Sequence, residues 1–447
     1  MEHINYTPKS IQLYGQYDVV VVGGGTAGCA AAISALNEGL SVLVIEEKTG
    51  LGGSQTEGLV SPTMGMGIKG QPISNVGRQI ARELIKIDGY YQHQELPDWD
   101  QSFNPIKLQI TLEQMITEQG GSILLQTSLV DTVCENGRVK YAIIHNKGGL
   151  QAVEAKCFID CTGDADLCYL SGVETFGGNA DGLSQNVSLR FEMGGVDIPQ
   201  YDKFRKEMHL DSQSGRDAFY REKYEQGYLR EQDIYHLQTF TIYGKPNCIA
   251  FNCPELDRST NVLDPDFITR QFLEGKQAVW KMATFMCKFM PGFENAYIAH
   301  ISGMLGIRES RRIHAEYMMT VDDVFGYRKF ADGIAVTNYP LDAHGEKNYG
   351  VGLKEYVEAP LEERYFEVPF RSLIPKGIDN VLCAGRCIGT DYYTQSTVRI
   401  QHTCRYTGEA AGIACKLAIS ENKAMRDIDG SEVRRIMAGK GAQYLQK

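Results

Sequence analysis

At 447 residues the chain exceeds what one compact core holds, so two domains are expected. Its 43% hydrophobic and 23% charged residues are ordinary for a globular protein, and a net charge of −11 repels phosphate backbones, which argues against a nucleic-acid partner. No run of about 18 apolar residues occurs, and the first fifteen residues lack a basic start followed by an apolar stretch, so a cytoplasmic chain without membrane span or export signal is expected.

The first element is the β-branched run Val19-Val20-Val21-Val22, continuous rather than alternating, as in a buried parallel strand. Gly23-Gly24-Gly25-Thr26-Ala27-Gly28 follows it. In this pattern Gly23 allows the tight turn, Gly25 lets the backbone approach a pyrophosphate, and Gly28 allows close packing of helix on strand. Ala27 to Leu36 is a helix of small residues whose N-terminus directs free N–H groups at phosphates. Gly39 ends that helix, Leu40 to Ile45 returns as a strand, and Glu46 stands where a carboxylate accepts hydrogen bonds from ribose hydroxyls. An acid there disfavours a 2′-phosphate, so FAD or NAD is expected rather than NADP.

Further along, Ile106 to Gly120 carries apolar residues at helical spacing, and Ile123-Leu124-Leu125 is a short strand. Asn136-Gly137 marks a hairpin between two strands, and Ala155 to Ile159 runs into Asp160-Cys161-Thr162-Gly163-Asp164. Near the end, Asn380 to Arg386 is a strand entering a turn, and a helix after Ser396 contains Gly408-Glu409-Ala410-Ala411-Gly412.

This order resembles the FAD-dependent oxidoreductases of the glutathione-reductase-like superfamily. The Gly52-Gly53 pair shortly after the ribose acid is similar to their pattern, in which the chain turns back along the pyrophosphate. Within the resemblance Val130 presents its backbone to the adenine, and Cys161-Thr162-Gly163 stands for the usual Ala-Thr-Gly. Gly385 leads to the flavin ribityl chain, where Arg386 replaces the usual Asp. The nearest resemblance is to the bacterial FAD-dependent oxidoreductase family distantly related to the heterodisulfide reductase flavin subunit. It rests on the N-terminal unit through Gly53, Cys157–Gly172, Gly306–Arg312 and Pro369–Gly412. The implied fold is α/β, a Rossmann-like three-layer FAD domain formed by residues 1–175 and 375–447, with an inserted α+β substrate domain at 176–374. The implied cofactor is non-covalent FAD. Its expected contacts are Gly23, Gly25, Thr26, Ala27, Gly28, Glu46, Lys48, Gly52, Gly53 and Ser54, with Val130, Thr162, Gly163, Gly385 and Arg386.

Two further absences bound the chemistry. The 12 cysteines form no C-x2-C runs, so they are expected to be reduced, buried small hydrophobes rather than ligands of a cluster or zinc. There is also no second glycine-loop unit with flanking strands and acid, so a dedicated NAD(P)H domain is not expected.

In the inserted part, Arg190–Met193 and Thr239–Tyr243 read as strands and 201–235 as charged helices. Asp264-Pro265 opens a helix to Phe289, with Trp280 expected in the core. Three groups carry candidate substrate chemistry. Arg308-Glu309-Ser310-Arg311-Arg312 reads as a helix start whose guanidinium forks match oxyanions. In Asp342-Ala343-His344, a histidine beside an acid can take a proton while hydride leaves. Tyr392-Tyr393 with Arg399 and His402 lies next to the flavin-facing helix.

The expected function is hydride transfer between FAD and a small polar molecule bearing a hydroxyl or carboxylate. His344 is the base, and Arg308, Arg371 and Arg399 position oxygen atoms. Partners are that substrate and an electron acceptor or donor; no metal is called for. A flavin electron-transfer subunit, an enoate-type reductase and a simple NAD dehydrogenase stand as alternatives.

Overall fold

The computed structural model describes residues 10–64, 74–90, 102–210, 212–346, 356–442 and 445. Its main sheet begins with β1 (Gln12–Val22), which leads through the glycine turn into α1 (Thr26–Asn37) and back to β2 (Val42–Ile45). Two helices, α2 (Asn75–Lys86) and α3 (Pro105–Thr117), precede β3 (Ser122–Leu124). Asn104 caps α3 by accepting hydrogen bonds from the Ile106 and Lys107 amides, and Pro105 takes the first turn. Then come β4 (Ser128–Glu135), β5 (Arg138–Asn146) and β6 (Gly149–Asp160). At the predicted hairpin, Asn136 and Gly137 adopt φ of 52° and 74°, the left-handed pair that a two-residue turn requires.

The sheet has seven strands. Six follow the order β3-β2-β1-β6-β5-β4, and the late strand Val381–Cys383 also pairs with β6. β1, β2, β3 and β6 run parallel, β6 pairing with β1 from Gln151 to Asp160, and on its other edge the first half of β6 joins β5 and β4 in an antiparallel meander. Alternation divides the layers. Val19 and Val21 face a core shared with α1, α2 and α3, while Val20 and Val22 face a core shared with the meander. This is the three-layer α/β arrangement expected.

After α4 (Asp166–Leu170) and β7 (Thr175–Phe176), the chain enters a second unit. Its four-stranded antiparallel sheet contains β8 (Phe191–Gly194), β9 (Thr239–Thr241), β10 (Cys248–Phe251) and a strand at Tyr297–Ile301. Helices α5 (Ile198–Glu207), α6 (Gln213–Glu225) and α7 (Glu231–His236) separate the first two strands. Helix α8 (Pro265–Phe289) covers this sheet, with the Asp264 side chain accepting a hydrogen bond from the Phe267 amide. Trp280 departs from expectation: it is 67% exposed. The buried stripe of α8 runs through Phe267, Gln271, Gly275, Val279, Met282 and Met286, a helical phase that turns Trp280 outward.

The chain continues through β11 (Tyr297–Ile301), β12 (Arg312–Ile313), α9 (Val321–Phe325), β13 (Gly333–Thr337) and β14 (Phe366–Pro369). It ends with β15 (Val381–Cys383), α10 (Tyr392–Val398), α11 (Gln401–Glu421) and α12 (Gly430–Gly439). The second unit's core is built by residues between Val187 and Leu305. Met319, Ile334, Leu341, Phe366 and Phe370, expected in the insert, instead join the first core beside α11 and α12. The self-contained insert is therefore narrower than 176–374, because β13 and β14 bury their apolar faces on the C-terminal helices. No described helix is long and apolar enough to cross a membrane.

Candidate active site

The turn between β1 and α1 is held by backbone. The Gly23 amide donates to Ile45 O at 2.8 Å, and Gly23 has φ +95°. A Cβ on Gly23 would lie 2.4 Å from Cys161 O, and one on Gly28 would lie 1.8 Å from Gly23 O. Neither position tolerates a side chain. Gly25 differs: a Cβ there meets nothing within 4 Å, because its position opens on a cavity. Gly25 is also the N-cap of α1 and makes no side-chain cap, which leaves the helix's first amides directed at that space.

Glu46 closes the same wall. Its carboxylate accepts hydrogen bonds from the Gly24 amide at 2.7 Å and the Lys48 amide at 2.8 Å. Burial pushes its pKa up, and these two hydrogen bonds oppose the rise. The Gly52 amide donates to Gly24 O at 2.8 Å, which brings the second glycine pair against the first loop.

The cavity, of about 310 Å³, is lined by Gly23, Gly25, Thr26, Ala27, Glu46 and Lys48. Gly53, Ser54, Thr162, Gly163, Gly385 and Arg386 also line it. Of the expected contacts, Gly28 and Gly52 stand behind this wall as packing positions. Val130 is not on it. Its side chain is exposed, and Thr127 and Leu129 line the cavity instead. A register shift between Leu129 and Asp131 displaces Val130 from the alternation. Arg386 is clamped: Nε donates to Gly163 O at 2.7 Å and Nη2 pairs with Asp164 at 2.5 Å. Ile400, the N-cap residue of α11, and Gln401, its first residue, complete the wall with a helix N-terminus that has no side-chain cap.

The other end of the cavity is built from side chains. His344 Nδ1 lies 2.6 Å from Glu255 Oε1 and Nε2 lies 3.2 Å from Asp342 Oδ1. Both carboxyls sit below their ordinary range. Burial alone would raise Glu255, but the hydrogen bond with His344 and the charge of Arg308 outweigh it and hold Glu255 at about 2. Burial would raise Asp342 too; the His344 hydrogen bond and the Arg399 charge win and lower it. Arg399 Nη2 is 3.2 Å from Asp342, and Arg308 is 3.9 Å from Glu255. Side-chain amides tie the group together: Gln395 Nε2 donates to Arg308 O at 2.8 Å, and Gln185 Nε2 donates to Gln395 Oε1 at 3.1 Å.

A second cavity, of about 400 Å³, lies in the inserted unit and shares Met64, Asn252, Asp342 and His344 with the first. His236 is on its wall, its ring edge-on to His344 with centroids 5.0 Å apart. Burial, together with the charge of Arg308, lowers the His236 pKa to about 4. Glu255, His236 and Arg190 escaped the sequence reading, because each lies far along the chain from His344 and none carries a local motif.

Two expectations fail here. Arg308–Arg312 does not start a helix. The Gly306 amide donates to Ser188 O at 2.7 Å, and this bridge holds the chain extended into β12. Only Arg308 of the three arginines faces the cavity; Arg311 pairs with Asp166, and Arg312 with Glu309 at 3.2 Å. Arg371 is also elsewhere. Its half-exposed guanidinium grips Asp332 through Nε at 2.9 Å and Nη2 at 3.2 Å. His402 is buried within α11, and burial lowers its imidazole to about 3.

A family described as FAD dependent oxidoreductase matches residues 18–437. The chain belongs to that family. It is an enzyme, and its cofactor is FAD. Its sequence is similar to digeranylgeranylglycerophospholipid reductase 2 of Methanothermobacter thermautotrophicus, 28% identical over 199 residues, covering 41% of this chain and 48% of that protein. The chain thus spans about half the length of the curated relatives it first matches. A stretch of 38 residues, 8% of this chain and 4% of the relative, is 60% identical to the NADH:fumarate oxidoreductase of Klebsiella pneumoniae. Among solved structures, the chain is similar to a geranylgeranyl bacteriochlorophyll reductase-like protein from Thermoplasma acidophilum. Identity is 14%, coverage 97% of this chain and 85% of the other, and the TM-score 0.47. The residues present fit FAD: the side-chain-free cradle at Gly25, the Glu46 carboxylate and the open α1 N-terminus suit a dinucleotide.

Proposed function

We propose that this FAD-dependent oxidoreductase removes hydride from a small polar organic molecule bearing a hydroxyl or carboxylate. One observation carries this reading: the cavity that begins at the glycine loop ends at His344, Asp342, Arg308 and Arg399. Bound FAD supplies the two-electron acceptor. Gly23, Gly25 and the α1 N-terminus would hold its pyrophosphate, and Glu46 its ribose. When a substrate hydroxyl takes the place of Asp342 at Nε2, the longer of the two contacts at 3.2 Å, His344 takes through that nitrogen the proton the hydroxyl loses as its carbon gives up hydride, while Glu255 at Nδ1 fixes the ring. Arg399 pairs with Asp342 through Nη2, and its Nε has no hydrogen-bond partner among the described residues, which leaves a donor for a substrate oxygen.

A second reading runs the same site in reverse, with His344 giving a proton as an α,β-unsaturated acid is reduced. The two carboxylates facing the ring favour it, since both N–H groups of a protonated imidazole find acceptors there. The reductase names of the relatives point the same way.

Anaerobic mixing of the purified yellow protein with alcohols, hydroxy acids and amines tests the first reading through bleaching of the flavin. Reoxidation of dithionite-reduced protein by enoates tests the second. With the molecule that reacts, His344→Ala should slow the step by about 10²–10⁴-fold with FAD content unchanged. A variant that reacts at the wild-type rate overturns the assignment of His344.

A further inference from the structure

Arg190 immediately precedes β8 and is 4% exposed. It stands on the wall of the flavin cavity with Asn252, Arg308 and His344. Its Nη1 donates to Asn252 Oδ1 at 3.0 Å. Nε and Nη2 are buried and have no hydrogen-bond partner among the described residues.

The other arginines of that wall each face a carboxylate: Arg308 is 3.9 Å from Glu255, Arg399 3.2 Å from Asp342, and Arg386 2.5 Å from Asp164. Arg190 makes no such pair among the described residues. Glu192, whose charge reaches it, is joined to Lys245 at 2.8 Å. A guanidinium taken out of water without a counter-charge is costly, and a site that receives an anion is where such a cost is repaid.

The unpartnered atoms also form a particular edge. Nε and Nη2 together grip a carboxylate with two parallel hydrogen bonds. Elsewhere in this chain the same edge does so, in Arg371 with Asp332 at 2.9 and 3.2 Å and in Arg230 with Asp233 at 3.1 and 2.7 Å.

We propose that the Nε–Nη2 edge of Arg190 receives a substrate carboxylate, which makes the substrate an organic acid; this rests on reading the cavity as the flavin and substrate site. Asn252, the residue that holds Arg190, lines both cavities, and Phe240 of the second cavity has its ring centroid 6.0 Å from the guanidinium. An acid held there lies at the junction, with its remaining carbons free to enter the space that His344 and Arg399 share. Burial and the charge of Arg308 lower the Arg190 pKa to about 10, a penalty that an arriving carboxylate relieves.

Calorimetric titration of the holoenzyme tests the proposal with lactate, succinate and benzoate, each against its neutral amide. The expected result is that at least one acid binds while its amide does not. Arg190→Met should weaken that acid by on the order of 30-fold with FAD content unchanged. Arg190→Lys should recover part of the loss, since an ammonium restores charge but not the fork. If Arg190→Met does not fold, a Lys variant that binds the acid as tightly as wild type still overturns the proposal. So do a wild type that binds none of the acids, and an Arg190→Met protein that keeps acid affinity but sheds FAD, which would assign Arg190 to the cofactor. A wild type purified without FAD would instead overturn the proposed function, and acid binding would still report on Arg190.

Discussion

At one end of the proposed flavin cavity the wall is main chain, with Gly23, Gly25 and Gly53 and the bare start of α1; at the other it is charged side chains, with Arg190, Arg308, Asp342, His344 and Arg399, and Glu255 stands behind His344. On the proposed reading the first end binds by shape and dipole, and a Cβ there would strike either the protein, as at Gly23, or the cofactor's space, as at Gly25. The second end, proposed to bind and react, is made of charges that hold one another in place. Substitutions at the first end should therefore act sterically, and those at the second through charge and protons.

The largest effect expected is at Gly28. In Gly28→Ala the new methyl meets Gly23 O at 1.8 Å, so the loop and α1 must separate. A destabilisation of roughly 3 kcal/mol and loss of FAD should appear in denaturant melts and in the visible spectrum. Gly25→Ala sharpens the contrast. Nothing in the protein lies within 4 Å of its new Cβ, so the melt should barely move. FAD affinity should still fall about tenfold or more, because the methyl enters the cradle. Equal loss of stability in both variants would break the distinction between packing glycine and contact glycine.

At the charged end the expected signature is pH dependence. Glu255 is held at about 2 against an ordinary 4.5, so its contribution to stability is complete above pH 4.5 and disappears as pH falls from there towards 2. Glu255→Gln should be less stable than wild type by on the order of 2 kcal/mol near neutrality, and the two should converge near pH 2. A difference that stays constant with pH would mean that Glu255 is not held ionised by His344 and Arg308. The smallest effect belongs to Arg371→Met. Its pair with Asp332 is half-exposed, so stability should change by less than about 1 kcal/mol, with no change in flavin reduction.

The same division explains what the sequence disclosed. Gly23 to Gly28 and Glu46 are consecutive or one helix apart, and their chemistry depends on backbone, so spacing alone reveals them. Thr162 and Gly163 end a strand next to β1 and are legible for the same reason. Val130 came only from the resemblance, as a backbone contact, and its neighbours Thr127 and Leu129 are the ones that line the cavity. Asp342-Ala343-His344 was readable as a local acid–base pair. Glu255 and Arg190 were not, because they reach His344 and Arg308 only through the fold of the inserted unit. Arg371 and the Arg308 run showed the converse error, since a basic residue in sequence does not tell whether its acid is a ligand or a neighbour such as Asp332.

The packing of α1 against α11 has a consequence for the life of the chain. A Cβ on Gly408 would lie 2.2 Å from Ala27 O, a Cβ on Gly412 would lie 2.8 Å from Ala31 O, and Ser34 Oγ donates to Glu409 O at 2.8 Å. The helix proposed to hold the pyrophosphate is thus packed by a segment some 375 residues later. Some 375 further residues must be made before α1 meets this partner, and until then the face it turns to α11 is bare. A chain cut short before α11 should therefore expose that seam and hold FAD less tightly than the full chain.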